Sequence, residues 1–581
     1  MSQGLSNNWL PLTVILPVVG GLLGYSVRRL RIEFNLLAFV PVLSIAYRLF
    51  VITRSHIISF DYSILGFFSI PFFLDGLGGT ILFLNAAMAF LIWLHSLRVT
   101  VKESQVHRYY LAMTFLLALA NAIVASGSLI GTAIAWMLCM PVMLGLLASG
   151  RNPAPNAIRS FLAITTVAHI LFIAGLLLIF IGGRVPAAIA PTTAAALDRP
   201  AVVYGFMLIM LGVITNIGLV PLHGWLEDAA NEVPAATLAY TTALVGRLVG
   251  IYLLIRIAYY VFDLTAAPAL QVILMTLGIL TILGGVVAEL FRSDLDGLII
   301  FNGLCQSGFI ILGVGTGHPA AVAGALFHSL NCAFGQVALY LGAGSVMFRM
   351  KTGRLDRLGG LGTMMPFTFV VFLTAALALS GVPPLNGFYS KWLIYQGVIG
   401  RADTMRIWPV FLIVAMVGSV LTLASFLKMV SAVFLGEPPA GSEKVREARF
   451  DMTAPTIVVA ALCVLFGLAA SPLVLRQFIF PALPFRPGNA GLWQPLWAGL
   501  FIAVGLGLGL VVYLLGNRLR FPKRKPFIGG ETLGSGERLH GLDFYSPLHD
   551  LSILAVVNRW LLGRRRTVSA DHDAGGEGGH R

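Results

Sequence analysis

The sequence predicts an all-α integral membrane protein with about 15 transmembrane helices, and three observations support this prediction. Of the 581 residues, 57% are hydrophobic and only 11% are charged, so polar side chains cannot cover a water-facing surface. Apolar runs of roughly 20 residues, the length that crosses a membrane, recur from Trp9 almost to the C-terminal tail. Basic residues are spread over the short loops between these runs. The spans are helices because backbone groups that face lipid must be satisfied within their own segment.

The candidate spans and the loop charges together predict a topology. The spans lie at about 9–27, 34–53, 72–97, 109–126, 129–149, 157–182, 201–220, 235–261, 269–291, 296–314, 319–347, 365–384 with a continuation to 399, 408–435, 453–475 and 493–515. Loops after odd-numbered spans carry roughly twice as many Lys and Arg residues as loops after even-numbered spans. The positive-inside rule therefore predicts a multi-pass protein of the inner (cytoplasmic) membrane, with its N-terminus outside and its C-terminus in the cytoplasm. The formal net charge of +14 indicates topology and not a nucleic-acid partner.

Two further features concern processing and redox state. Residues 1–8 contain no basic residue before the first apolar run, so we expect no cleaved secretory signal and a first span that stays as an anchor. All four cysteines fall inside apolar runs, which predicts reduced thiols without a disulfide framework or a CxxC site. They are Cys139, Cys305, Cys332 and Cys463.

Two proline-containing segments interrupt the apolar pattern in the same way. Val220–Trp225 follows the seventh span, and Ser380–Phe388 lies in the twelfth. Proline removes a backbone donor and clashes with the preceding turn, so each segment should break its helix near mid-membrane. The breaks are an odd number of spans apart, so the two halves run in opposite directions. This predicts two inverted five-helix repeats, at about 109–261 and 269–435, each a half-channel with a Pro-broken helix. Two unrelated proline kinks are the alternative.

The rest of the chain flanks these repeats. Residues 1–108 hold the first three spans, 436–515 hold the fourteenth and fifteenth, and 516–581 form a cytoplasmic tail. Within the tail, 544–563 fit an amphipathic helix on the inner membrane surface, and the Gly-rich residues 567–581 are expected to be disordered.

Three stretches carry a family resemblance: Pro221–Ala229 (PLHGWLEDA), Leu326–Val346, and Gly387–Lys391 (GFYSK). In order and spacing they resemble segments of the antiporter-like membrane subunits of respiratory complex I (NADH:quinone oxidoreductase), of Mrp cation antiporters, and of membrane-bound hydrogenase or formate hydrogenlyase complexes. The similarity covers about residues 70–440. It implies a line of buried ionisable residues that carries protons, driven by redox chemistry on partner subunits.

The resemblance assigns positions in that line. Lys391 lies where the family has the ionisable residue at the exit of the second half-channel, His328 is retained in the eleventh span, and Arg247 fills the basic position of the eighth. Other usual charges are replaced: the fifth-span glutamate by Met137, the seventh-span lysine by Asn216, and an eleventh-span histidine and lysine by Cys332 and Gln336. Their spacing of four places His328, Cys332 and Gln336 on one helix face.

Side-chain chemistry separates the roles of these residues. We predict ion transfer for Lys391, with snorkelling or structural pairing as the alternative, and a relay or gating role for His328, with a structural histidine as the alternative. Arg247 stays protonated, so it can set a potential but is a poor relay. His223 is either the local partner of the proline break or part of the pathway. Gln336 and Asn216 can order water but cannot store a proton.

We therefore predict a subunit without a cofactor or metal of its own, which translocates protons or sodium ions within a redox-linked or antiporter-type complex. Its partners would be other membrane subunits and peripheral redox subunits, and any oxidoreductase activity would belong to the assembled complex. The sequence contains no GxGxxG opening a strand–helix unit, no Walker loop and no cysteine cluster. The alternatives are a non-pumping scaffold or coupling subunit, and the membrane module of an inorganic-carbon or cation transporter with a non-redox partner.

Overall fold

The computed structural model describes residues 2–64, 68–100, 105–149, 154–183, 189, 194–485 and 495–518, and most of them are helical. The first helices are α1 (Ser2–Ser26), α2 (Arg31–Thr53), α3 (Gly76–Thr100), α4 (Val106–Ala125), α5 (Leu129–Ala148), α6 (Pro155–Leu178), α7 (Pro200–Ile217), α8 (Gly224–Glu232), α9 (Ala235–Leu238) and α10 (Gly250–Arg256). The others are α11 (Pro268–Leu290), α12 (Leu295–Gly315), α13 (Pro319–Met350), α14 (Pro366–Ser380), α15 (Asn386–Ile399), α16 (Trp408–Phe434), α17 (Phe450–Leu468) and α18 (Pro495–Arg518). The π-helical segments Ala239–Val249 and Ile257–Val261 make α9 and α10 parts of one helix over Ala235–Val261.

Within the described residues, 13 helices are long and apolar enough to cross a membrane. They correspond to predicted spans 1 to 11, 13 and 14, so the prediction of an all-α multi-pass membrane protein is confirmed. The predicted twelfth span consists of two shorter helices, α14 and α15, and the fifteenth corresponds to α18. The expected amphipathic helix at 544–563 and the expected disorder at 567–581 lie outside the described residues.

A β-hairpin between the second and third spans was not predicted. Strands β1 (Ile58–Ile64) and β2 (Phe68–Leu74) pair antiparallel, with Ile58 opposite Leu74. The segment ISFDYSI alternates apolar and polar residues, which is the period of a strand. The third helix consequently begins at Gly76 and not near residue 72.

The interior is built around α12 and α13, which are buried along their apolar stretches. Helix α13 packs against α12, α14, α15 and α17. Helices α11 and α12 approach closely at paired glycines: a Cβ at Gly278 would lie 2.7 Å from the Leu312 nitrogen, and one at Gly308 would lie 2.6 Å from the Ile282 nitrogen. Small residues at such contacts let backbones meet without side chains between them. This fixes the relative positions of the polar residues on α11 and α12.

The two proline-containing segments interrupt their helices in the same manner. Helix α7 ends at Ile217 and is followed by Gly218 with φ 85°, and α14 ends at Ser380 and is followed by Gly381 with φ 85°. Left-handed glycine terminates a helix because it accepts this φ without a Cβ clash. The Val220–Pro221 and Pro383–Pro384 peptide bonds are both cis. The relation of the two halves as inverted repeats stays a prediction.

Candidate functional site

The centre of the candidate site is one face of α13. His328, Cys332 and Gln336 lie on this face at intervals of four residues, and all three are buried. At a rise of 1.5 Å per residue they form a row about 12 Å long inside the protein. Side chains from neighbouring helices extend the row at both ends.

At one end, Gln336 contacts the buried Arg247. The Arg247 Nη1 donates to Gln336 Oε1 at 2.5 Å, and Nη2 donates to the Ile300 carbonyl at 3.2 Å. A Cβ at Gly303 would collide with the guanidinium group, so the glycine leaves the space that the arginine occupies. None of the ion pairs in the described residues involves Arg247. Because arginine stays protonated and its acceptors are neutral, this end of the row carries a fixed positive charge.

Near the other end, His328 bridges α12 and α15. Its Nδ1 lies 2.8 Å from Ser390 Oγ, and its Nε2 lies 3.1 Å from Gln306 Oε1. This geometry fits a neutral imidazole that donates from Nε2 and accepts at Nδ1. The Asn331 amide also donates to Ser390 Oγ, at 3.0 Å. His328 therefore belongs to a hydrogen-bonded group at the start of α15.

Lys391 lies one residue beyond Ser390, beside the second helix break. Its Nζ donates to the Ser380 carbonyl at 3.4 Å and lies 4.4 Å from the centroid of the Phe309 ring. Ser380 is the last residue of α14, so the ammonium group faces the negative end of that helix. The side chain is buried, with a relative exposure of 2%. The broken helix thus supplies both the space and the partial charge that hold a lysine inside the protein.

The first half of the chain brings no comparable group together among the described residues. Asn216 is half-buried at the end of α7. His223 precedes α8, and the centroid of its ring lies 6.2 Å from that of Phe301. Phe301 follows Ile300, whose carbonyl accepts the hydrogen bond from Arg247. Met137 is 42% exposed on the outer face of α5, away from the row.

Three buried polar residues of the second half were missed by the sequence analysis. The Asn302 amide lies 3.3 Å from both carboxylate oxygens of Glu289, and Lys428 Nζ donates to the carbonyls of Leu290 and Arg292 at 2.7 Å each. Glu289 is fully buried and Lys428 is 2% exposed. A charged residue inside an apolar span was the available signal, since such residues are costly in a membrane.

A buried ion pair outside the row was also missed. Arg256 on α10 donates to both carboxylate oxygens of Asp75, at 2.7 and 2.5 Å. The rings of Tyr252 and Tyr260 lie 5.1 and 4.3 Å from its guanidinium carbon. The pair joins α10 to the start of α3. Within the part of the chain that the structure describes, no cluster of three or more His, Cys, Asp or Glu side chains is placed to hold a metal ion.

The chain is similar in sequence to membrane subunits of known complexes. Residues 126–422 match the family model described as NADH:quinone oxidoreductase/Mrp antiporter, TM. The chain is 31% identical over 353 residues to NADH-quinone oxidoreductase subunit N of Desulforudis audaxviator, a match that covers 58% of this chain and 69% of the relative. It is also 31% identical over 337 residues to formate hydrogenlyase subunit 3 of Escherichia coli, covering 54% of each chain, so it spans about half the length of that relative.

A solved structure has the same fold over nearly the whole chain. A subunit of the archaeal membrane-bound sulfane sulfur reductase, a respiratory membrane complex, superposes with a TM-score of 0.79 and 21% identity. The superposition covers 95% of this chain and 93% of that subunit. The similar proteins are thus components of multi-subunit membrane complexes.

Proposed function

Because this chain belongs to the family of NADH:quinone oxidoreductase and Mrp antiporter transmembrane subunits, we propose that it translocates protons or sodium ions as one subunit of a redox-linked membrane complex. The proposed pathway residues are Arg247, Gln336, His328 and Lys391 along the buried row, with His223 and Asn216 beside the first helix break. The partners are other membrane subunits and peripheral redox subunits.

The observation that carries this proposal is the environment of Lys391. A lysine with 2% exposure is held by the end of an interrupted helix and by an aromatic ring, without an ion-pair partner within 4 Å in the described residues. Burial away from water disfavours the charged ammonium form of this lysine. A change of charge nearby can therefore shift its proton affinity enough for the lysine to take up or release a proton. A lysine that served only to stabilise the fold would gain more from a carboxylate partner.

The replaced residues determine which positions along the proposed pathway can take up or release a proton. Asn216 and Gln336 cannot take up a proton, and Arg247 does not release one. The exchangeable protons of the proposed row therefore lie in the second half, at Lys391 and His328, while Arg247 provides a constant field. This division supports ion transfer chiefly through the 269–435 half, while His223 is the proposed pathway residue of the 109–261 half that can titrate.

Substitution of Lys391 tests the proposal in the complete complex. The complex is purified from native membranes and reconstituted into vesicles, and proton influx under a potassium diffusion potential is read with a trapped pH dye. We expect Lys391→Ala to lower the flux about 100-fold, because the proton loses its acceptor in the row. Lys391→Arg should be equally inactive, since arginine keeps the charge but does not release the proton. Lys351→Ala, at an exposed lysine, is the matched control with unchanged flux.

The outcomes separate the proposal from its alternatives. Flux that persists in an intact Lys391→Ala complex overturns the pathway role of this lysine. An unmodified complex that assembles but moves neither protons nor sodium ions favours the scaffold or coupling subunit, a reading that the replaced charges at Asn216 and Gln336 support. Transport by a complex with a non-redox partner favours the transporter module.

A further inference from the structure

The second half of the chain contains a buried carboxylate, that of Glu289, which is not part of the proposed row. Glu289 is the penultimate residue of α11, and its side chain is fully buried. The Asn302 amide of α12 lies 3.3 Å from both oxygens. Helix α11 packs against both α12 and α16, and the Ser425 side chain of α16 is also buried. Helix contacts on both sides therefore hold one acidic group in an apolar interior.

A polar face of α12 connects Glu289 with Lys391. Asn302, Gln306 and Phe309 follow one another at helical spacing, and Asn302 contacts Glu289 while the Phe309 ring contacts Lys391. Asn302 and Phe309 are seven positions apart, a rise of about 10 Å along the helix. The charges of Glu289 and Lys391 are close enough to interact electrostatically.

Two atoms on this face are suited to hold water. Asn302 Oδ1 and Gln306 Nε2 are buried and have no hydrogen-bond partner among the described residues. Buried polar groups of this kind are commonly satisfied by ordered water. Water at these two atoms would form part of a hydrogen-bonded path between the lysine and the carboxylate.

Glu289 is also close to the protein surface. Helix α11 ends at Leu290, one residue after Glu289, and Ser293 in the loop that follows is exposed. Between them, Lys428 of α16 donates to the carbonyls of Leu290 and Arg292 at 2.7 Å each. The charged groups around the carboxylate are thus Lys428 and Lys391 on α16 and α15, and Arg292 and Asp294 in the loop after α11.

We propose that Glu289 is the proton-exchanging group between Lys391 and the surface at the α11–α12 loop, and this inference rests on the proposed function. In the transfer, the Lys391 ammonium gives its proton through water to the Glu289 carboxylate. The products are a neutral amine and a neutral carboxylic acid. The acid then releases the proton to bulk water at the loop and becomes a carboxylate again. Lys428 stabilises that carboxylate and favours the release.

Glutamine and aspartate substitutions test the inference in the reconstituted complex described above. We expect Glu289→Gln to keep the contact with Asn302 and to assemble, but to lower proton influx about 100-fold, because an amide cannot exchange the proton. Glu289→Asp should recover part of the flux. The control is Glu447→Gln: this glutamate accepts from the Phe367 and Thr368 nitrogens at the start of α14 and lies outside the row, so the flux per assembled complex should not change.

An infrared readout separates a relay from a structural carboxylate. Difference spectra of the whole complex between two pH values should show a carboxylic-acid C=O band that disappears in Glu289→Gln. The pH midpoint of this band should move in Lys391→Ala, since removal of a neighbouring positive charge changes the proton affinity of a carboxylate.

The outcomes distinguish this inference from the proposed function. Full flux in Glu289→Gln with no flux in Lys391→Ala overturns the role of Glu289 alone. Full flux in both variants overturns the proposed pathway as well. A carboxylic-acid band whose midpoint is the same with and without Lys391 overturns the coupling between the two groups.

Discussion

At the scale of single residues, the structure contains buried charged side chains in two different arrangements. Lys391 and Glu289 are buried without a direct ion-pair contact to each other, whereas Arg256 and Asp75 form a close bidentate pair. A bidentate pair fixes the protonation state of both partners, because each favours the charge of the other. Among the described residues, neither Lys391 nor Glu289 has such an ion-pair partner. The distance between opposite charges therefore distinguishes a structural pair from a candidate relay.

Asp75→Asn tests the structural pair. We expect a loss of about 3 to 5 kcal/mol in stability, since the substitution leaves the Arg256 charge buried without a counter-charge. Thermal unfolding of the purified complex in detergent measures this loss. The matched control is Asp356→Asn, because the pair of Asp356 with Arg354 is exposed on both sides and contributes at most about 1 kcal/mol. Equal unfolding temperatures for the two variants would contradict a structural role for the buried pair.

At the scale of secondary structure elements, the important feature is the interrupted helix α14–α15. The left-handed Gly381 ends α14 so that the Ser380 carbonyl meets Lys391 Nζ. A Cβ at Gly387, in the first turn of α15, would collide with the Ala378 carbonyl, so the two helices approach each other as closely as backbones allow. Both glycines are therefore required for the position of the lysine.

Gly381→Ala tests this requirement. An alanine at φ 85° costs about 1 to 2 kcal/mol, and its Cβ would lie 3.1 Å from Lys391 Cδ. We expect a lower unfolding temperature and a reduced proton influx, because the side chain of Lys391 is displaced. Gly145→Ala on α5, where a Cβ meets nothing within 4 Å, is the control. It should leave the flux unchanged and should not lower the unfolding temperature, because alanine favours a helix over glycine. Normal flux in Gly381→Ala would show that the helix end does not position the lysine.

At the scale of the whole molecule, the chain has apolar residues exposed along many helices. Helices α2, α6, α16 and α18 each present exposed Leu, Ile or Val side chains. In a membrane these faces contact lipid or neighbouring subunits. The similar proteins are parts of multi-subunit complexes. The proposed function therefore predicts that part of this surface forms subunit contacts.

Purification from native membranes in mild detergent tests the assembly. We expect mass spectrometry to identify further membrane subunits together with peripheral subunits that carry iron–sulfur, nickel or flavin centres. The Lys391→Ala complex should have the same composition, because the lysine is internal. Recovery of a single soluble partner without a redox centre would contradict the redox-linked complex and favour the transporter module.

The sequence determined the membrane fold and the places where its helices break. Apolar length fixes the spans because each must cross the same hydrocarbon thickness, and proline with glycine fixes the interruptions at Gly218 and Gly381 because these residues act on their own backbone. The sequence spacing also placed His328, Cys332 and Gln336 on one face. These are local properties of one segment.

Only the tertiary structure decided which side chains meet. The contact of Glu289 with Asn302, that of Arg247 with Gln336, and the pair of Arg256 with Asp75 each join residues on different helices. Such contacts depend on the rotation and depth of two packed helices, which the sequence of either helix does not specify. In an apolar interior a charge remains stable only where several helices supply its partners, so the proposed pathway depends on the packing of the whole molecule.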